Sequence, residues 1–157
     1  MKLLFKQRFA SWLGSYEVYS ESGEVLYRVR GKVAWGHCFR VFDAEENEIG
    51  LIKQKLMSWV PCFEIYNGGV LCGRIRKEMT FFKPRFNIDY MGWSVEGSFS
   101  EWNYRIYNDV GLLVAEVKKE IFKWTDTYAI DVLDPNDAFS ALMLVVAIDA
   151  EKSMRNS

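Results

Sequence analysis

Cations recur in this chain as close pairs: Arg28 with Arg30, Lys53 with Lys55, Arg74 with Arg76 and Lys77. Two residues apart on an extended chain, such side chains share a face. On neighbouring strands they would form a stripe suited to phosphate, which takes forked hydrogen bonds from arginine and a point charge from lysine. Lys83 and Arg85 stand at a neighbouring loop. The chemistry these nine residues suggest is anion binding, with an anionic phospholipid or phosphoinositide headgroup as the ligand class. An ordinary solvated strand face accounts for the same residues, with charge that protects sheet edges, and Glu64 and Glu78 are placed to neutralise it.

Other chemistry has little to work with. His37 is the one histidine, too few for a histidine-based metal site or a Ser/His/Asp triad. No glycine-rich phosphate loop leads into a helix. The acids of Asp43-Ala44-Glu45-Glu46-Asn47-Glu48 lack the spacing and glycine of an EF-hand and read as a solvated hairpin turn. Cys38, Cys62 and Cys72 are odd in number, lack CxxC spacing and lie in apolar runs, so they read as reduced packing residues. No catalytic residue, metal or cofactor is expected. Twenty basic and 21 acidic residues leave a net charge of −1, which gives no bulk attraction to nucleic acid or to a membrane, so any such binding must come from a local patch. Residues 1–9 carry basic groups and no long apolar core, unlike a signal peptide, so the expected location is cytoplasmic, peripheral to a membrane if the lipid reading holds.

The elements that must position the cations announce themselves by repetition. An aromatic, any residue, then a β-branched residue recurs as Tyr16-Glu17-Val18, Phe39-Arg40-Val41, Phe63-Glu64-Ile65, Phe86-Asn87-Ile88, Tyr104-Arg105-Ile106 and Tyr128-Ala129-Ile130. Each copy runs into turn chemistry, such as Glu21-Ser22-Gly23, Asn67-Gly68-Gly69 or Met91-Gly92, and a returning strand that alternates apolar and charged residues. A further aromatic lies four residues ahead of four copies, at Trp35, Trp59, Phe82 and Trp124, and the even spacing predicts a core-facing ring on an unbroken strand. Trp12, Phe81, Phe82 and Trp93, at loop-like positions, read as closing the ends of a core, with membrane-interface contact as the alternative. Five hairpins, a strand over 124–133 and one over about 3–9 make about twelve strands. An antiparallel meander of that length is expected to curl into two sheets or close into a barrel, and a twelve-stranded barrel needs a filler.

Asp134-Pro135-Asn136-Asp137 starts a helix, with an N-cap acid and a proline in the first turn. The run Ala141 to Ile148 is apolar all round and too short to span a bilayer, so a central helix over about 136–153 belongs inside the barrel. The whole chain, 1–157, reads as one domain of the mainly β class.

Residues 1–9, Tyr27-Arg28-Val29-Arg30-Gly31-Lys32 and Asp137-Ala138-Phe139 resemble the LURP-one-related proteins, relatives of the Tubby C-terminal domain and the phospholipid scramblases. The resemblance covers nearly the whole chain and implies a twelve-stranded barrel around a hydrophobic C-terminal helix. It implies less about activity: Tubby domains bind phosphoinositide headgroups, scramblases are tied to membranes and calcium, and many members have no defined activity. The chain lacks the proline-rich and cysteine-rich segments of scramblases and is shorter than Tubby domains. The expectation is a non-enzymatic module for anionic lipid headgroups, with a protein-interaction scaffold as the alternative.

Overall fold

The computed structural model describes residues 1–6, 15–34, 36–78, 85–99, 101–121 and 126–155. Twelve antiparallel strands follow one another as β1 (Lys2–Lys6), β2 (Tyr16–Tyr19), β3 (Val25–Ala34), β4 (Gly36–Asp43), β5 (Glu48–Gln54), β6 (Cys62–Asn67), β7 (Val70–Glu78), β8 (Arg85–Tyr90), β9 (Ser94–Ser98), β10 (Asn103–Tyr107), β11 (Leu113–Ile121) and β12 (Asp126–Val132). Sequence neighbours other than β8 and β9 pair as hairpins, and β1 also pairs with β12, Leu3 facing Ile130 and Phe5 facing Tyr128. The ladder therefore runs from β8 round through β1 and β12 to β9. Among the described residues the β8–β9 seam has no ladder. Aromatic rings bridge it: Phe86 meets Phe99 edge-on at 4.8 Å, and Tyr90 meets Trp93 at 6.0 Å.

The repeated pair faces inward as its alternation demands. Val18, Phe39, Val41, Phe63, Ile65, Tyr104, Ile106, Tyr128 and Ile130 are all buried. Turns fall where glycine accepts a positive φ, 87° at Gly23 and 54° and 82° at Gly68 and Gly69. The Asp134 carboxylate accepts from the Asn136 N–H at 2.9 Å and starts a 3-10 turn at Pro135 that leads into α1 (Ala138–Arg155). From Ala141 to Ala150 every residue of α1 is buried, so the helix fills the barrel. The fit is close at Gly50, where a Cβ would stand 2.6 Å from the Met143 sulfur.

One packing expectation fails. Trp59 is fully exposed, because β6 begins only at Cys62 and Pro61 stands between the ring and the strand. The alternation that would have turned it inward is broken there. Trp35, Phe82 and Trp124, with Trp12 and Phe81, lie outside the described residues, whereas Trp93 is buried. Cys62 is buried as expected for a packing residue, but Cys72 is exposed.

The meander also sorts charge. Strand alternation places the turns 20–24, 43–48, 67–70, 90–93 and 108–112, with the helix entry 133–137, at one end of the barrel. These segments hold nine acids and no lysine or arginine. Among the described residues, the other end, which receives the C-terminus of α1, holds cations that include Lys53, Lys55, Arg76 and Arg85 and acids that include Glu78, Glu101, Glu120 and Asp126.

Candidate functional site

Strand order decides which cation pairs meet. Arg74 lies opposite Glu64, which lies opposite Lys53, so these form one row across the outer faces of β7, β6 and β5. Arg76 lies opposite Cys62, whose carbonyl accepts the Lys55 N–H at 2.8 Å, giving a second row one step along. At the usual ~4.8 Å between strands, each lysine column is about 10 Å from the arginine column. Lys53, Lys55 and Arg76 are exposed. Arg85 lies further along the same outer face, opposite Glu78.

The Arg74 Nε donates to Glu64 Oε1 at 3.1 Å, and the Tyr66 hydroxyl donates to Glu64 Oε2 at 2.9 Å. Burial pushes the Glu64 carboxyl up, but Tyr66, Arg74 and Lys55 outweigh it and hold it below its ordinary range. Glu64 is thus an anion held between the two cation columns. Arg74, Arg76, Asn87 and Asp89 line a shallow polar depression of about 170 Å³ beside it. Across β5 to β8, the cations Lys53, Lys55, Arg74 and Arg76 outnumber the acids Glu64 and Asp89 and give a net positive patch in which guanidinium groups can exchange a carboxylate for a phosphate.

Arg28 and Arg30 do not join this patch. They sit on β3, two strands beyond β5, and turn toward the acidic end. Arg28 meets Glu17 at 3.2 Å and Glu46 at 3.0 Å, and Arg30 also pairs with Glu46 while lying 4.5 Å over the Phe42 ring. The acids of the 43–48 turn act within the turn and on these arginines: Asp43 accepts the Asn47 N–H at 2.8 Å and the Asn47 side-chain amide at 3.0 Å. Those bonds hold the Asp43 carboxyl below its ordinary range. Its role in capping the turn agrees with the hairpin reading.

Lys77 is a correction. The alternation that buries Ile75 puts Lys77 on the inner face, opposite Phe86, and its Nζ reaches Glu151 of α1 at 3.8 Å. It therefore belongs to the barrel interior and not to the outer stripe. Lys83 lies outside the described residues.

The interior holds a second polar group that the cation pattern did not signal. Asp149 and Glu151 are buried on α1. Burial drives the Asp149 carboxyl up to about 6, against the pull of Lys152, whose Nζ sits 4.2 Å over the Trp102 ring. Tyr16 and Tyr104 are raised well above the usual phenol range, by burial and then by Asp149. Any acid on this part of the helix had to be buried once the helix was placed inside. That signal was present in the sequence.

Fold and patch together define a nearly closed antiparallel barrel built around its own apolar helix, with cations gathered on three adjacent strands. Residues 1–149 match the model of the LURP-one-related family, and the chain belongs to that family. It is similar to an uncharacterised Bacillus subtilis (strain 168) protein, YxjI, at 24% identity over 150 residues, covering 95% of this chain and 92% of YxjI. Its fold is similar to the X-ray structure of an Arabidopsis thaliana protein, with a TM-score of 0.64 and 16% identity over 96% of this chain and 90% of that one. Neither family nor relatives carry an enzymatic name. Among the described residues, no helix is long and apolar enough to cross a membrane.

Proposed function

We propose that this domain is a non-enzymatic binding module that holds an anionic phospholipid headgroup on the outer face of β5–β7, working from the cytoplasm at a membrane surface. Supporting this reading is the convergence of Lys53 and Lys55 with Arg74 and Arg76 on adjoining rows beside a polar depression. Each lysine or arginine near an anionic leaflet contributes roughly 1 kcal/mol, so four give modest, reversible binding that salt weakens. Flotation with phosphatidylserine-containing phosphatidylcholine vesicles tests it. The native chain should float, should stop floating as salt rises, and should lose flotation as Arg74→Glu/Arg76→Glu. Equal absence of binding by both chains would end the lipid reading.

A protein-interaction scaffold is the second reading. The observation in its favour is the exposed apolar tips Val110, Leu112 and Leu133 at the acidic end, which an anionic membrane would repel. Protein partners captured from lysate through detergent washing, and lost on Val110→Ser/Leu112→Ser, would favour it over the first.

A further inference from the structure

The β5–β6 connection stands directly above the cationic patch. Its base is fixed: the Lys55 N–H bonds Cys62 O at 2.8 Å, and Pro61 O accepts the Lys77 N–H at 3.2 Å. Leu56 lies over Gly36, where a Cβ would come within 2.8 Å of the Leu56 Cδ2 atom. Beyond that base the chain presents Met57, 92% exposed, and Trp59, fully exposed, with Ser58 and Val60. A short loop pinned at its base and apolar at its tip is built to project those side chains.

We propose that this tip is an apolar wedge that enters the interfacial region of an anionic bilayer, so that the barrel stands on the membrane with its helix C-terminal end down. The inference rests on the lipid reading and adds to it the depth and orientation of contact. Charge favours a bilayer as the occupant: Lys53, Lys55 and Arg76 stand just behind the tip, where long cations lie along an apolar surface and reach headgroup phosphates. The opposite end is the wrong one for an anionic surface: Val110, Leu112 and Leu133 share their turns with Asp109, Asp134 and Asp137, and the six segments at that end together hold nine acids and no lysine or arginine. A tryptophan seated at headgroup depth suits its ring and its N–H. A stable protein interface needs roughly 800 Å² per partner, more than a few tip residues offer, whereas an interfacial anchor needs only to enter by about 5–10 Å.

The test places an environment-sensitive fluorophore on Met57→Cys in a Cys72→Ser background, with Val110→Cys as the comparator at the acidic end. Cys62 is buried and Cys38 half-buried, so the introduced thiol takes most of the label. On phosphatidylserine-containing vesicles the label at 57 should shift to the blue and resist iodide quenching, while the label at 110 does neither. Trp59→Ser should weaken vesicle binding by about tenfold, from lost apolar burial. It should leave the melting temperature unchanged, because the ring packs on nothing. Flotation of the labelled protein with the 57 label still quenchable would overturn the wedge while sparing headgroup binding. Absence of flotation would overturn both. Equal shifts at 57 and 110 would overturn the orientation, and a shift with protein extract but none with vesicles would assign the tip to a protein partner instead.

Discussion

Asp149→Asn is expected to remove most of a pH dependence that the native barrel carries between about pH 4 and pH 7. The Asp149 carboxyl titrates near 3.8 when exposed and near 6 when folded, since burial disfavours its anion. The folded chain therefore binds the extra proton between those values. Stability is fully present below the lower value and falls as pH rises through the upper one. Two pKa units at about 1.4 kcal/mol each amount to roughly 3 kcal/mol lost by neutral pH. For a domain of this size each kcal/mol moves the melting temperature by about 2–4 °C, so the loss is on the order of 6–12 °C. Tyr16 on β2 and Tyr104 on β10 face the same carboxyl but titrate well above this window. Lys152, in the next turn, is the opposing cation. Urea unfolding at pH 4.5 and 7.5, native against variant, isolates the effect, because other carboxylates titrate alike in both chains. Parallel stability profiles for the two would refute the buried, proton-retaining Asp149.

Two substitutions probe the barrel wall. Gly73→Ala would place a Cβ 2.3 Å from the Asp89 carbonyl oxygen and 2.9 Å from the Tyr90 Cα, both backbone atoms that cannot swing aside. A cost of about 2–4 kcal/mol in denaturant unfolding is expected, and a cost under about 0.5 would contradict the β7–β8 spacing. Lys77→Met should destabilise by about 1–3 kcal/mol by removing the Lys77 cation from the buried Glu151 carboxylate, and adding Glu151→Gln should recover part of that loss. Strict additivity of the two changes would refute an inward-facing pair.

The strand content was legible because alternation is a local rule. The six aromatic pairs face inward wherever the strand is unbroken, and the terminal apolar run could only be a filler. Trp59 escaped because one proline cancels the rule. Lys77 was misplaced for the opposite reason, since adjacency to Arg76 already placed the two on opposite faces. Which cation pairs converge depends on ladder order and on competition from acids in other hairpins. Spacing near Arg28 and Arg30 gives no hint that Glu46, in the next hairpin turn, draws both arginines away from β5. The cations themselves were readable, but which of them share a face and a neighbourhood needed the third dimension.

The pairing of β1 with β12 has a consequence in time. The Met1 amino group donates to Val132 O at 2.8 Å, joining residues 131 apart in the chain. During synthesis β1 must wait, one edge unpaired, for almost all the other strands, and the barrel has nothing to close around until α1 follows. Contacts of such long range make folding slow, and a half-built meander offers open edges and an apolar lining to any neighbour. The helix that makes the barrel solid thus emerges from the ribosome after all twelve strands, and until it does the strands have no core to close on.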